Sequence, residues 1–201
     1  MKKLVFMLLM LAPLLANAQS DPATKARVAD VRAAYKQALA DINAVQKGEE
    51  GAQNDALVSM RLNRADSGAT SETLEFYAEV KQDTVGGYEY ETFFIRRSYS
   101  MSARKYYNEF LFDRETGDLI FAYVRSSSED EPNIKIEDRY YFDNGSLVPI
   151  SHTATGLDTE KNTLISQKQV EKHQWQGGDD FFQSVPASLR SAFHSLANCA
   201  H

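Results

Sequence analysis

Cysteine is nearly missing from this chain. Cys199 is the single one, so no intramolecular disulfide can form even in an oxidising compartment, and burial alone must hold the fold. Its place close to the chain end makes Cys199 a poor functional residue. Histidine is sparse and scattered: His152, His173, His194 and His201 show no H-x-x-x-H or H-x-H spacing that would bring two ligands to one metal. There is no G-x-S-x-G, no S-x-x-K and no glycine-rich phosphate loop, which removes the common signatures of nucleophilic and phosphoryl chemistry. Basic residues are in the minority, 22 against 28 acidic, and this balance argues against nucleic acid and anionic membrane surfaces as partners. Only one long apolar run occurs, Leu4 to Leu15, and it is too short to span a bilayer.

That run sits in the context of a targeting segment. Lys2 and Lys3 precede it and Ala16-Asn17-Ala18 follows as a small-x-small cleavage site, so residues 1–18 read as a signal peptide and the exported chain begins at Gln19. No cysteine stands at the expected cut, which argues against a lipid anchor. Losing two lysines with the leader leaves 20 basic against 28 acidic residues, a balance of −8 over 183 residues. The expectation is a single α+β domain over 19–201, exported to a periplasm or beyond, with no transmembrane segment after the leader is removed.

Three regions organise that domain. Over 19–48, Asp21-Pro22 opens a helix, Gly48 closes it, and Val28, Val31, Tyr35, Ala38, Ile42 and Val45 form one apolar stripe. The stripe suits packing on a sheet, or alternatively a short coiled coil. Over 56–150 the pattern changes to alternation, as in Leu74, Phe76, Ala78 and Val80 against Glu75, Tyr77, Glu79 and Lys81, which predicts an antiparallel β-meander of about six to seven strands. Over 158–198 a helical tail is expected: one helix capped by Asp158 or Thr159 and running to about Trp175, with strand as the alternative for Leu164–Val170, then a last helix from near Pro186.

The centre of the meander is two hairpins. Arg114-Glu115-Thr116-Gly117 joins Phe110–Asp113 to Asp118–Val124, and Asn144-Gly145, the dipeptide that most favours a type I′ turn, joins Tyr140–Asp143 to Ser146–Ile150. Pairing Asp113 with Asp118 sets Phe112 opposite Leu119, Leu111 opposite Ile120, Phe110 opposite Phe121, Glu109 opposite Ala122 and Tyr107 opposite Val124, with Tyr106 near Arg125. Both faces are then apolar near the turn. One needs the N-terminal helix as cover and the other needs the tail helices, sheet curvature or a partner.

Candidate chemistry follows from composition. Sixteen aromatic residues lie between Phe76 and Phe142, and nine are tyrosines, whose apolar body and hydroxyl suit a half-wet contact surface. Tyr106, Tyr107, Tyr123, Arg125 and Tyr140 are the candidate binding residues; the bland alternative is a solvated sheet face stabilised by cross-strand pairs. Asp113-x-Glu115-x-Gly117-Asp118 is a thin calcium-loop match without the distal Glu, and Asn144-Gly145-Ser146 fits a glycosylation sequon but serves first as a turn. Glu89 with Glu91, or Glu75 with Glu79, are the carboxylate pairs that a hydrolase would need.

The segments YYFDNGSL (140–147) and EFLFDRETGDLIFAYV (109–124), with a leader ending in ANAQ, resemble secreted β-meander proteins of Gram-negative gut-type bacteria. The resemblance covers Ala56 to Ile150. It implies export and a helix, meander and helical tail, and it brings no catalytic residue with it. The expected function is a non-catalytic binding or protein-interaction module without a cofactor, its partner a protein or another envelope component. A small cell-envelope hydrolase working through strand carboxylates is the alternative.

Overall fold

The structure, a computed structural model, describes residues 21–49, 55–63, 71–82, 86–101, 104–127, 130–148, 153–173 and 179–198. The expected leader, Cys199, His152, His201 and Trp175 lie outside the described residues. The protein is α+β. A helix α1 (Pro22–Lys47) precedes β1 (Asp55–Leu62), β2 (Glu72–Gln82), β3 (Tyr88–Met101), β4 (Arg104–Phe112), β5 (Leu119–Ser127), β6 (Ile134–Asp143), β7 (Ser146–Leu147), β8 (Thr153–Asp158) and β9 (Thr163–Leu164), and α2 (Gln167–His173) and α3 (Asp179–Asn198) follow. The strands form one antiparallel meander in the order β1-β2-β3-β4-β5-β6-β8-β9, with β7 paired to β6 alone. No described helix is long and apolar enough to cross a membrane.

The ends of α1 follow from local chemistry. Pro22 occupies the first turn, where a missing N–H costs nothing. Gly48 takes φ 65°, and the N–H groups of Gly48 and Glu49 bond the carbonyls of Val45 and Ala44 in a Schellman closure. Asp21 holds the N-cap position, yet its side chain makes no capping bond. The stripe of α1 packs on the sheet rather than in a coiled coil. Val31, Ala38 and Ile42 are buried with Tyr77, Phe93, Phe94, Leu111, Ile120, Phe121 and Tyr141.

The opposite face carries a second core. Leu74, Phe76, Ile95, Phe110, Phe112, Val124, Tyr140 and Phe142 pack there against Phe182 and Phe193 of α3. Both faces of the central ribbon are therefore covered, by α1 on one side and α3 on the other.

The register of the first hairpin differs from the expectation. Asp113 does bond Asp118, and Phe112 does face Leu119, but then Ile120 bulges out of the ladder. Leu111 pairs with Phe121, Phe110 with Ala122, Glu109 with Tyr123, Tyr107 with Arg125 and Tyr106 with Ser126. A bulge adds one residue to one strand and shifts every later pair by one, moving side chains between faces. Burial drives it here: Ile120 and Phe121 both reach the α1 core. An equivalent irregularity in β3 opposite Tyr77 and Ala78 places Phe93 and Phe94 together in that core. The second hairpin holds its expected register, with Phe142 opposite Leu147 and both Asn144 (φ 48°) and Gly145 (φ 73°) in the left-handed region that a type I′ turn requires.

The tail is less helical than its sequence pattern predicts. Thr153–Asp158 is a strand, and Asp158 caps a turn instead of opening a long helix. Its carboxylate accepts the N–H groups of Glu160 and Lys161, the Asn133 amide and the Lys161 ammonium, and these bonds, the Lys161 backbone first, hold its pKa at about 2. Gly156 hides the strand in the sequence and is required by the packing. A Cβ there would meet Ile165 at 2.6 Å, where Ile165 closes over Ile134, Ile136 and Val170. The last helix begins at Asp179, not near Pro186. Pro186 removes one backbone hydrogen bond inside α3. The extra turns bring Phe182 to 4.4 Å from the Tyr140 ring and Phe181 to 6.1 Å from Phe110, burial that offsets the lost bond.

Candidate functional site

Cross-strand rows on the α1 face change from apolar to charged away from the helix. Under α1 lie Tyr77, Phe94, Leu111, Phe121 and Tyr141. The next row is Glu75, Arg96, Glu109, Tyr123 and Arg139; beyond it come Thr73, Ser98, Tyr107, Arg125 and Glu137. The bulge at Ile120 decides this assembly, because without it Tyr123 and Arg125 fall on the other face.

Glu109 is the hub of the middle row. It is 5% exposed and accepts hydrogen bonds from Tyr35 of α1 and from Tyr107, with the Arg96 guanidinium at 3.4 Å. Arg96 also donates to the Tyr77 hydroxyl at 3.1 Å and lies 3.7 Å from Glu75. Tyr77 donates to Glu75 and accepts from Gln46, so α1 is pinned to the polar row at two points along its length. A buried carboxylate tolerates such a position only when its lone pairs are filled and a cation is close.

Burial, followed by the Glu109 carboxylate, pushes the phenols of Tyr35 and Tyr107 far above the ordinary tyrosine range; burial and Glu137 do the same for Tyr123. The sign of the pH effect follows. In the unfolded chain these groups ionise near pH 10, whereas in the folded protein they keep their protons, so their contribution is full below pH 10 and is lost as pH rises beyond it. The three phenols are expected to stay protonated until the chain unfolds at alkaline pH. A Tyr35→Phe, Tyr107→Phe, Tyr123→Phe variant should resist base unfolding to a higher pH relative to its own neutral-pH stability. An unchanged alkaline midpoint, followed by phenolate absorbance, would contradict this.

A cleft of about 530 Å³ opens at the end of the sheet where β2, β4 and β6 begin and β3 and β5 finish. Tyr99, Tyr106, Tyr107, Lys105, Arg125 and Lys135 supply its aromatic and charged walls, and serines and threonines supply much of the rest. No carboxylate lines it, and none of Lys105, Arg125 and Lys135 forms an ion pair among the described residues. Arg125 lies over the Tyr107 ring at 4.8 Å, while Glu137 across the strand from it is taken by Arg139 at 3.1 Å. Lys105 and Lys135 flank Ser127, whose hydroxyl accepts the Lys105 N–H at 3.0 Å.

The structure brings Tyr106, Tyr107 and Arg125 to this cleft. Tyr123 stands beside it, edge-on to Tyr107 at 6.2 Å. Tyr140 is elsewhere, 7% exposed beneath α3 on the opposite face. Sequence reasoning missed Tyr99, Lys105, Lys135 and the Tyr35–Glu109–Arg96 hub. One signal was readable: Tyr35 interrupts an otherwise aliphatic helical stripe with a hydroxyl.

The other candidate chemistries are absorbed by structure. Asp113 accepts the N–H groups of Glu115 and Thr116, which lower its pKa and make it a turn residue. Among the described residues no group of three potential ligands gathers for a metal. Glu75 is held by Tyr77 and Arg96, and Glu79 and Glu91 lie on Lys81, with Arg190 a further partner of Glu91. A second cleft, also about 530 Å³, lies between α3 and the β4–β5 and β6–β7 turns; its cation Arg190 already donates to the Gly117 carbonyl and faces Glu91.

Compared with known proteins, the chain matches no family model, and neither a curated protein nor a solved structure aligns with it.

Proposed function

We propose that this protein is an exported, non-catalytic binding module whose ligand occupies the cleft at Tyr106, Tyr107 and Arg125. The observation that carries the reading is the set of three cations, Lys105, Arg125 and Lys135, none of them ion-paired, in one cleft whose described lining holds no carboxylate, in a chain that is acidic as a whole. Cations on a net-negative protein are ordinarily matched by neighbouring acids, as Arg96, Arg97 and Arg139 are here. An unmatched group in a concavity of this size is the arrangement of a pre-formed recognition site. The leader-like segment supports export, and among the described residues neither cleft is lined by paired carboxylates, which favours binding over hydrolysis.

The test is a thermal-shift screen of the purified chain against saccharides, short peptides and lipid headgroups, repeated on Arg125→Ala and Tyr107→Ala. A true ligand should raise the midpoint of the parent protein and lose about ten-fold in affinity, roughly 1.4 kcal/mol, in either variant. A ligand bound equally by all three proteins, or one that is turned over, would reject the proposal.

A further inference from the structure

Resting on that reading of the cleft, we infer that the group it recognises is a phosphomonoester, carried on a small polar molecule or on a lipid headgroup. Strand alternation fixes which side chains can meet there. Tyr107, Arg125 and Glu137 form one cross-strand row on the α1 face. Lys105, Ser127 and Lys135 each lie two residues from that row on the same three strands, so they share its face. Ser127 is the register partner of Lys135 and accepts the Lys105 N–H at 3.0 Å, so two lysines from neighbouring strands flank one hydroxyl. Strands lie roughly 4.8 Å apart, which sets the lysine backbones about 10 Å from each other with Ser127 midway and Arg125 about 7 Å further along β5. The long stems of lysine and arginine close such gaps, and three cations and a hydroxyl can meet on one anion.

The donors of this group are unspent. Lys105, Arg125 and Lys135 make no ion pair or side-chain hydrogen bond among the described residues. The Ser127 hydroxyl, having accepted from Lys105, keeps its own proton for a ligand oxygen. Arg125 is positioned without being neutralised. Its guanidinium lies 4.8 Å from the centroid of the Tyr107 ring, and the Tyr107 hydroxyl is tied to the buried Glu109. Glu137, across the ladder from Arg125, is engaged by Arg139 at 3.1 Å.

Three cations select for charge and for the number of oxygens. A carboxylate brings one charge and two oxygens, and a sulfate ester brings three oxygens but one charge. A phosphomonoester brings three terminal oxygens and a charge of about −1.5 to −2 at neutral pH, enough to engage all three cations together. The planar arginine fork takes two of those oxygens, and each lysine acts as a point charge. Beside the cations the same two rows continue on β3 as Ser100 and Ser98, the register partners of Lys105 and Tyr107. The remainder of the ligand therefore meets hydroxyls, which suit a polar body and not an acyl chain.

The experiment is calorimetric titration of the exported chain with glucose 6-phosphate, glucose 6-sulfate, glucuronate and dihexanoyl phosphatidic acid, with amide resonances of Lys105, Arg125, Ser127 and Lys135 followed in parallel. The two phosphomonoesters should move those resonances, weaken with added salt and bind about ten-fold more tightly than the sulfate ester or the carboxylate. Each should lose about ten-fold in Arg125→Gln and in Lys135→Gln, changes at exposed side chains that leave the core intact. Tighter binding of glucose 6-phosphate than of the lipid assigns the group to a soluble ligand, and the reverse assigns it to a headgroup. Sulfate ester or glucuronate bound as tightly as the phosphomonoesters, with the same dependence on Arg125, would overturn the phosphomonoester and leave the cleft as a binding site. Binding that both variants leave undiminished, or four probes that leave those resonances unmoved, would overturn the cleft itself.

Discussion

Glu109→Ala is expected to lower the unfolding free energy by about 3–5 kcal/mol, the cost of breaking a buried ion pair from one side. The carboxylate is 6% exposed at its side chain and Arg96 is 21% exposed, so water relieves the guanidinium only in part once its partner is gone. The same change strands two phenols, Tyr35 and Tyr107, that donate to Glu109. Each loses a charge-assisted bond where burial forbids easy replacement. For a domain of this size the midpoint should fall by about 2–4 °C per kcal/mol, followed by thermal or denaturant unfolding. Pairing Glu109→Leu with Arg96→Met should cost clearly less than the two changes summed, because the double variant leaves no uncompensated charge. Strict additivity would mean that Glu75 and Tyr77 already satisfy Arg96 and that the Glu109 contact carries little.

Phe76→Ala should be as damaging, about 3–5 kcal/mol, for an apolar reason. Phe76 is 1% exposed and its ring stacks on Phe193 of α3 at 5.1 Å, so truncation empties a space that neither the sheet nor the helix can refill. Because the contact joins the meander to the tail, hydrogen exchange should accelerate across Asp179–Asn198 before it does in the central strands. Phe193→Ala should reproduce most of the loss, and the double variant should fall short of the sum, as expected for two rings sharing one cavity. A Phe76→Ala protein with parent stability and a protected α3 would show that the tail helix is held by Phe181 and Phe182 alone.

How much of this was legible beforehand depends on how local each signal is. The start and end of α1 were readable because Pro22 and Gly48 act within one turn of themselves. The two hairpins were readable because Gly117, Asn144 and Gly145 take left-handed dihedrals that few residues accept. That both sides of the ribbon need cover followed from alternating apolar residues, and α1 and α3 supply it. The strand Thr153–Asp158 was not legible. Its glycine depresses strand propensity, and the reason for that glycine is a contact with Ile165.

Chemistry confined to a few neighbouring residues, such as a proline in a first turn, an Asn-Gly turn or a run of alternating side chains, thus determined the element types from α1 through the second hairpin, the antiparallel meander and the wealth of tyrosine. Only the tertiary structure decided which tyrosines stand together. A one-residue bulge at Ile120, made so that Ile120 and Phe121 both reach the α1 core, turns Tyr123 and Arg125 to the side of Tyr107 and Glu109. The side-chain period of a strand is two, so a slip of one residue exchanges its faces, and the energy that selects the slip comes from a helix some eighty residues away.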